Sequence, residues 1–141
     1  MKFKYLLFSI ILSYCNYAHS QIIITNALHG FNTSNESWTK SNTSTFSTAQ
    51  KYEGTGSITV DIPAWSHCGI DIDRNWSGYD YLIMYVYTAE ASVSVKIALN
   101  YGASWTYVES SAQALTQNTW NQVVFDLNSG GVDKSQIKSY T

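Results

Sequence analysis

The sequence predicts an all-β protein, and three observations carry that prediction. β-branched and aromatic residues are abundant, with five Trp and eleven Tyr, while helix-favouring residues are scarce. Short segments of alternating apolar and polar residues recur, separated by Gly, Asn and Ser turn signals. A single Pro and a charged fraction of 13% set the chain apart from disordered sequences. With no helical period between the strands, the expected architecture is an antiparallel β-sandwich.

The first twenty residues stand outside that pattern. Met1-Lys2-Phe3-Lys4 is a short cationic start, and residues 5–14 are an apolar run broken only by Ser9 and Ser13. Ala18-His19-Ser20 then puts small residues where a signal peptidase reads them, so cleavage is expected before Gln21. The run is about ten residues long, whereas a spanning helix needs roughly 20. A lipid anchor on Cys15 would want a small residue where the bulky Tyr14 stands. The reading is therefore a signal peptide over 1–20 and one exported domain over 21–141.

The strands follow in order. Ser57-Ile58-Thr59-Val60-Asp61-Ile62 alternates after the turn Gly54-Thr55-Gly56, and Gly69-Ile70-Asp71-Ile72-Asp73 alternates before Asn75-Trp76-Ser77-Gly78. Residues 81–87 are apolar on both faces, with Leu82, Met84 and Val86 against Ile83, Tyr85 and Tyr87. The longest alternation runs over 93–101, with Val93, Val95, Ile97, Leu99 and Tyr101 inward. Strands are also expected over 105–109 after the Gly102 turn and over 120–127, and 135–140 begins a further one.

Composition narrows the function. The eight cations, less Lys2 and Lys4, leave six against ten acids, so the exported part is near −4. That charge gives no footprint for nucleic acid or an anionic membrane. No second apolar run is long enough for a membrane span. Once Cys15 is removed, Cys68 stands alone, so no intrachain disulfide forms and Cys68 reads as a small buried hydrophobe.

Three stretches then resemble one family. Lys51-Tyr52-Glu53-Gly54-Thr55-Gly56-Ser57-Ile58-Thr59-Val60 is similar to the hairpin that opens many jelly-roll carbohydrate-binding modules of glycoside hydrolases. Trp76-Ser77-Gly78-Tyr79-Asp80-Tyr81-Leu82 resembles their entry into a central strand, and Asn118-Thr119-Trp120-Asn121-Gln122-Val123-Val124-Phe125-Asp126-Leu127 their Trp-to-Asp-Leu strand. The resemblance runs from about Asn26 onward and implies a galactose-binding-like jelly roll that binds polysaccharide or oligosaccharide. It also implies a closing strand beyond Tyr140, often with an acid near a structural calcium. Two options stay open: the front of a longer polypeptide with a covalently linked catalytic domain, or a sandwich with an exposed edge.

A pyranose has an apolar C–H face and a polar rim, so its binding takes flat aromatic rings with a few hydrogen-bonding neighbours. Trp105 and Tyr107 share parity on one expected strand and form the first candidate pair. Trp65, in the loop Pro63-Ala64-Trp65-Ser66-His67, and Tyr85 and Tyr87, opposite the inward side chains of their strand, are further candidates. Lys96, Asn100 and Gln122 point away from the apolar parity and would supply polar contacts. Trp38 reads as a staple onto the core, and Trp76 and Trp120, within the resembling motifs, as part of the core or its rim. Asp71 and Asp73 share a face that Asp61 joins if their strands pair; three carboxylates could hold calcium, though a solvated acidic face is the preferred reading.

Catalysis finds less support. The acids are scattered rather than paired across a cleft. Neither His29-Gly30 nor Ser66-His67-Cys68 resembles a nucleophile motif, and zinc-ligand spacing is absent. The expectation is a non-enzymatic module in a secreted or cell-surface setting. The rival class is a structural or adhesive β-sandwich whose aromatics all serve the core.

Overall fold

The computed structural model describes residues 34–141 apart from 43, 53 and 62–65. The expected signal peptide, His29, Glu53 and Trp65 lie outside the described residues. Every regular element among the described residues is a strand: β1 Ser44–Ser47, β2 Ser57–Val60, β3 Ile70–Arg74, β4 Tyr81–Tyr87, β5 Ser94–Val95, β6 Ala98–Tyr101, β7 Thr106–Glu109, β8 Gln113–Ala114, β9 Trp120–Asp126 and β10 Ile137–Tyr140. The fold is all-β, and its antiparallel sheets are compatible with a β-sandwich.

The strands assemble as β1-β2, β3-β10-β6-β7, β4-β9 and β5-β8. In the four-stranded sheet, Ile70, Tyr140, Leu99 and Val108 stand in register across β3, β10, β6 and β7. In β4-β9, Leu82 pairs with Phe125 and Met84 with Val123. The inward side chains of both sheets meet in one hydrophobic cluster, which includes Leu82, Val123 and Phe125 from one side and Ile70, Leu99, Ile137 and Tyr140 from the other. Full burial of each large apolar side chain is worth roughly 1.5–3 kcal/mol. Trp38 closes one end, its ring edge-on to Tyr140 at 5.3 Å and 80°. Trp76 is buried against the same Tyr140 at 5.6 Å.

Five details depart from the sequence reading. β1 has no alternating signature; Ser44-Thr45-Phe46-Ser47 becomes a strand because it pairs with β2, Phe46 opposite Ile58. The short strand β8 was likewise not signalled by its own residues. The run over 93–101 is two strands rather than one. The break falls at Lys96-Ile97, where the Ile97 N–H donates to Ser110 Oγ and the Ser110 N–H returns to Ile97 O, so a side chain interrupts the ladder. Finally, β7 begins at Thr106, because Trp105 belongs to the turn at φ +54°. The segment expected only to begin a strand, β10, is central, with β3 on one side and β6 on the other.

Candidate functional site

Two aromatic surfaces lie on the outward sides of the two sheets. On the four-stranded sheet the residues alternating with the core row are Asp71, Ser139, Asn100 and Tyr107, in register across β3, β10, β6 and β7. The register shifts between Ile137 and Ser139, which lets Lys138 and Ser139, neighbours in sequence, both serve this face. Lys138 Nζ binds Asp73 at 3.0 Å, and Asn100 Nδ2 donates to Ser139 Oγ at 2.9 Å. Ser139 has 0% exposure although it is on the outward row, and the Asn100 bond satisfies its hydroxyl.

Trp105 reaches this face from the turn that joins β6 to β7. Gly102 at φ +69° and Trp105 at φ +54° bend the chain, and the Trp105 N–H donates to Gly102 O at 3.2 Å. The shared strand parity expected for Trp105 and Tyr107 is therefore corrected: Tyr107 projects by strand alternation, Trp105 by a left-handed turn. Both rings are nonetheless open to solvent, Trp105 at 49% and Tyr107 at 60%. Lys40 Nζ sits 5.3 Å from the Trp105 ring centroid and 2.5 Å from Asp71 Oδ1. Asp71 is on one edge strand and Trp105 leads into the other, so this pair reaches across the sheet.

Charges on this face are paired off. Lys40 holds Asp71, Lys138 holds Asp73, and Lys96 holds Glu109. The Tyr107 hydroxyl donates to Glu109 Oε2 at 2.9 Å. Shielding of that hydroxyl from water, then the bond to Glu109 and its charge, push the Tyr107 phenol up. The bonds from Lys96 and Tyr107 hold the Glu109 carboxyl below its ordinary value. What remains for a ligand is the two exposed rings of Trp105 and Tyr107, with the half-buried Asn100 amide in register with Tyr107. Lys96 lies exposed at its margin, already committed to Glu109.

The second surface is the outward side of β4-β9, where Tyr85 pairs with Gln122 and Tyr87 with Trp120. Tyr52, from the loop between β1 and β2, lies flat on Tyr85 with centroids 3.7 Å apart and planes 11° apart. Trp120 meets Tyr52 at 5.9 Å and Tyr87 at 5.8 Å, and Gln122 Nε2 donates to the Tyr85 hydroxyl at 3.2 Å. Tyr85 and Tyr87 are half-buried, and Tyr85 lies under Tyr52 of the β1–β2 loop. The outer ring is Tyr52, 48% exposed.

Two residues outside the candidate set belong to this surface. Trp120, assigned to the core or its rim, is half-buried in this outward cluster because its parity on β9 matches Gln122 rather than Val123. Tyr52 joins the surface through its stacking on Tyr85; its signal in the sequence is an aromatic flanked by Lys51 and Glu53 in a Gly-terminated hairpin. The candidates thus divide between two faces, Trp105, Tyr107, Asn100 and Lys96 on one, Tyr85, Tyr87 and Gln122 on the other. Trp65 lies outside the described residues.

Ser41 Oγ is 2.6 Å from His67 Nε2, but both residues are exposed and no carboxylate among the described residues bonds the other ring nitrogen. A catalytic pair needs that orienting partner. Asp61 does not join Asp71 and Asp73, because β2 pairs with β1. Among the described residues no three His, Cys, Asp or Glu side chains gather at one point. No helix among them is long and apolar enough to cross a membrane. No protein-family model matches the chain, and no curated protein matches it.

Proposed function

We propose that this chain is a non-catalytic carbohydrate-binding module with a jelly-roll, galactose-binding-like fold, exported and acting as the ancillary module of a secreted glycan-degrading enzyme. The observation that carries this reading is the exposure of Trp105 and Tyr107 on one sheet face beside Asn100, with the neighbouring charges neutralised in pairs. Flat rings offer the C–H face of a sugar an apolar surface at little entropic cost, and amides and hydroxyls meet its rim. Calcium takes six to eight oxygens; with Asp71 and Asp73 each held by a lysine, the reading is built without it.

Affinity electrophoresis of the chain against soluble β-glucans, mannans and xylans tests the proposal. Retardation by one glycan class is expected, and Trp105→Ala should weaken it roughly tenfold or more, since a covered aromatic ring contributes about 1.5–3 kcal/mol. Trp105→Gly is the matched control for folding, because glycine removes the ring and adopts the φ +54° backbone without strain. A structural or adhesive module is the second reading, favoured by the fact that Trp105 already carries Lys40 and Tyr107 already holds Glu109. Absence of retardation by every glycan selects that reading.

A further inference from the structure

The surface around Tyr52 has no part in the binding face just described. It belongs to β4-β9, whose inward side chains share the hydrophobic cluster with the four-stranded sheet. The outward rows of the two sheets therefore look in opposite directions, with the core between them. Sheets packed face to face lie about 10 Å apart, and ligands on their outer sides are farther apart still. Two sugar chains bound there would not collide.

The chemistry of the second surface is that of a neutral ring receptor. Tyr52 is held flat by Tyr85 beneath it, and Trp120 fixes its edge. The exposed side of Tyr52 is thus a pre-set platform, and pre-setting reduces the ordering cost of binding. Gln122, exposed beside Tyr85, donates one amide hydrogen to the Tyr85 hydroxyl and retains a carbonyl acceptor. Tyr85, Tyr87, Trp120 and Gln122 carry no charge, which suits an uncharged polysaccharide rather than an anionic one.

Resting on the carbohydrate-binding reading, we infer that the chain is bivalent: Trp105 and Tyr107 hold one strand of a neutral polysaccharide, Tyr52 and its cluster hold a second, and a single copy cross-links the two. Attachment at two points to a polymer network retains a protein far longer than either contact alone.

The test uses light scattering and affinity electrophoresis on the purified full chain, shown to be monomeric by size exclusion, with the soluble polysaccharide that retards it. The parent chain is expected to raise scattering, with a maximum at an intermediate protein-to-glycan ratio. Trp105→Gly and Tyr52→Ala should each abolish the scattering while leaving measurable retardation, and the double variant should lose both. Because removing Tyr52 uncovers the Tyr85 ring, Tyr52→Ala/Tyr85→Ala is run beside it. Bivalence is overturned if both Tyr52 variants match the parent in scattering, or if Trp105→Gly alone abolishes all retardation. Scattering that persists in the double variant also overturns it, since self-association then causes the cross-linking. If no glycan retards the parent, the binding reading itself falls and bivalence with it.

Discussion

Trp105 occupies a backbone conformation that few residues with a large side chain adopt. At φ +54° it stands in the left-handed region, where a non-glycine residue carries strain. The conformation brings a ring from the β6–β7 turn to Lys40, so local strain coincides with the exposed aromatic on which the proposed function depends. Cys68 illustrates the opposite case, a reactive group made inert by its surroundings. Its thiol is buried and donates to Asn42 O at 3.2 Å, and burial pushes its pKa up despite a contrary contribution from the Gly69 backbone. A thiol that keeps its proton is a poor nucleophile. Iodoacetamide should label Cys68 in the folded chain far more slowly than in urea-unfolded chain at pH 8; equal rates would show that the site opens readily.

Two elements are held by devices that act like missing strands or missing atoms. Beside β9, the Gln113 side chain accepts from the Val124 N–H at 3.0 Å and donates to the Val124 carbonyl at 2.9 Å. One amide thereby imitates a strand residue on the side of β9 away from β4. Gln113→Leu leaves both backbone groups half-buried without that partner, and chemical denaturation should report a loss of about 1–3 kcal/mol. Gly69 marks another constraint: it exchanges backbone hydrogen bonds with Lys40, and any Cβ there would collide with the Tyr140 carbonyl and the Thr141 side chain. Gly69→Ala forces backbone apart at the end of β10 and should also cost about 1–3 kcal/mol. A denaturation midpoint equal to the parent's would show that this end of the sheet yields without cost.

At the scale of the whole molecule, stability leans on packing, and the buried phenol and thiol predict a greater sensitivity to base than to acid. Burial raises the pKa of Tyr140, with a smaller effect from the Glu36 charge, and burial also raises Cys68. Both groups are neutral when protonated, so the folded chain keeps protons that the unfolded chain releases. Their contribution is intact below the ordinary thiol and phenol values of 9.0 and 10.0, and is lost as pH rises above each of them towards the raised value in the folded chain. Glu109 has the reverse sign: its lowered pKa stabilises above its ordinary 4.5 and is lost as pH falls. Its side chain is exposed, so solvent screens the effect. The thermal midpoint should change little from pH 5 to 8 and fall steeply above about pH 9; a steeper fall on the acid side would contradict this balance.

Much of the fold was legible because alternation is a local property. Ile58 and Val60, Ile70 and Ile72, Leu82 to Val86 and Leu99 to Tyr101 state in sequence which side of each strand is apolar, and the structure puts those sides against the core. Turns that need glycine, such as Gly54 and Gly102 at positive φ, are equally readable. By contrast, β1 and β8 carry no pattern of their own and exist through their partners β2 and β5. The same divide runs through the candidate site. That Trp105, Tyr107, Tyr85 and Tyr87 point away from the core follows from their neighbours in the chain or from the turn before them. That Tyr52 covers Tyr85, that Trp120 joins them, and that Lys40 reaches Trp105 depend on residues brought together from distant parts of the chain. Period-two patterning tells inside from outside on a single strand; which strands become neighbours, and so which rings share a face, is settled only when the sheets close over their common core.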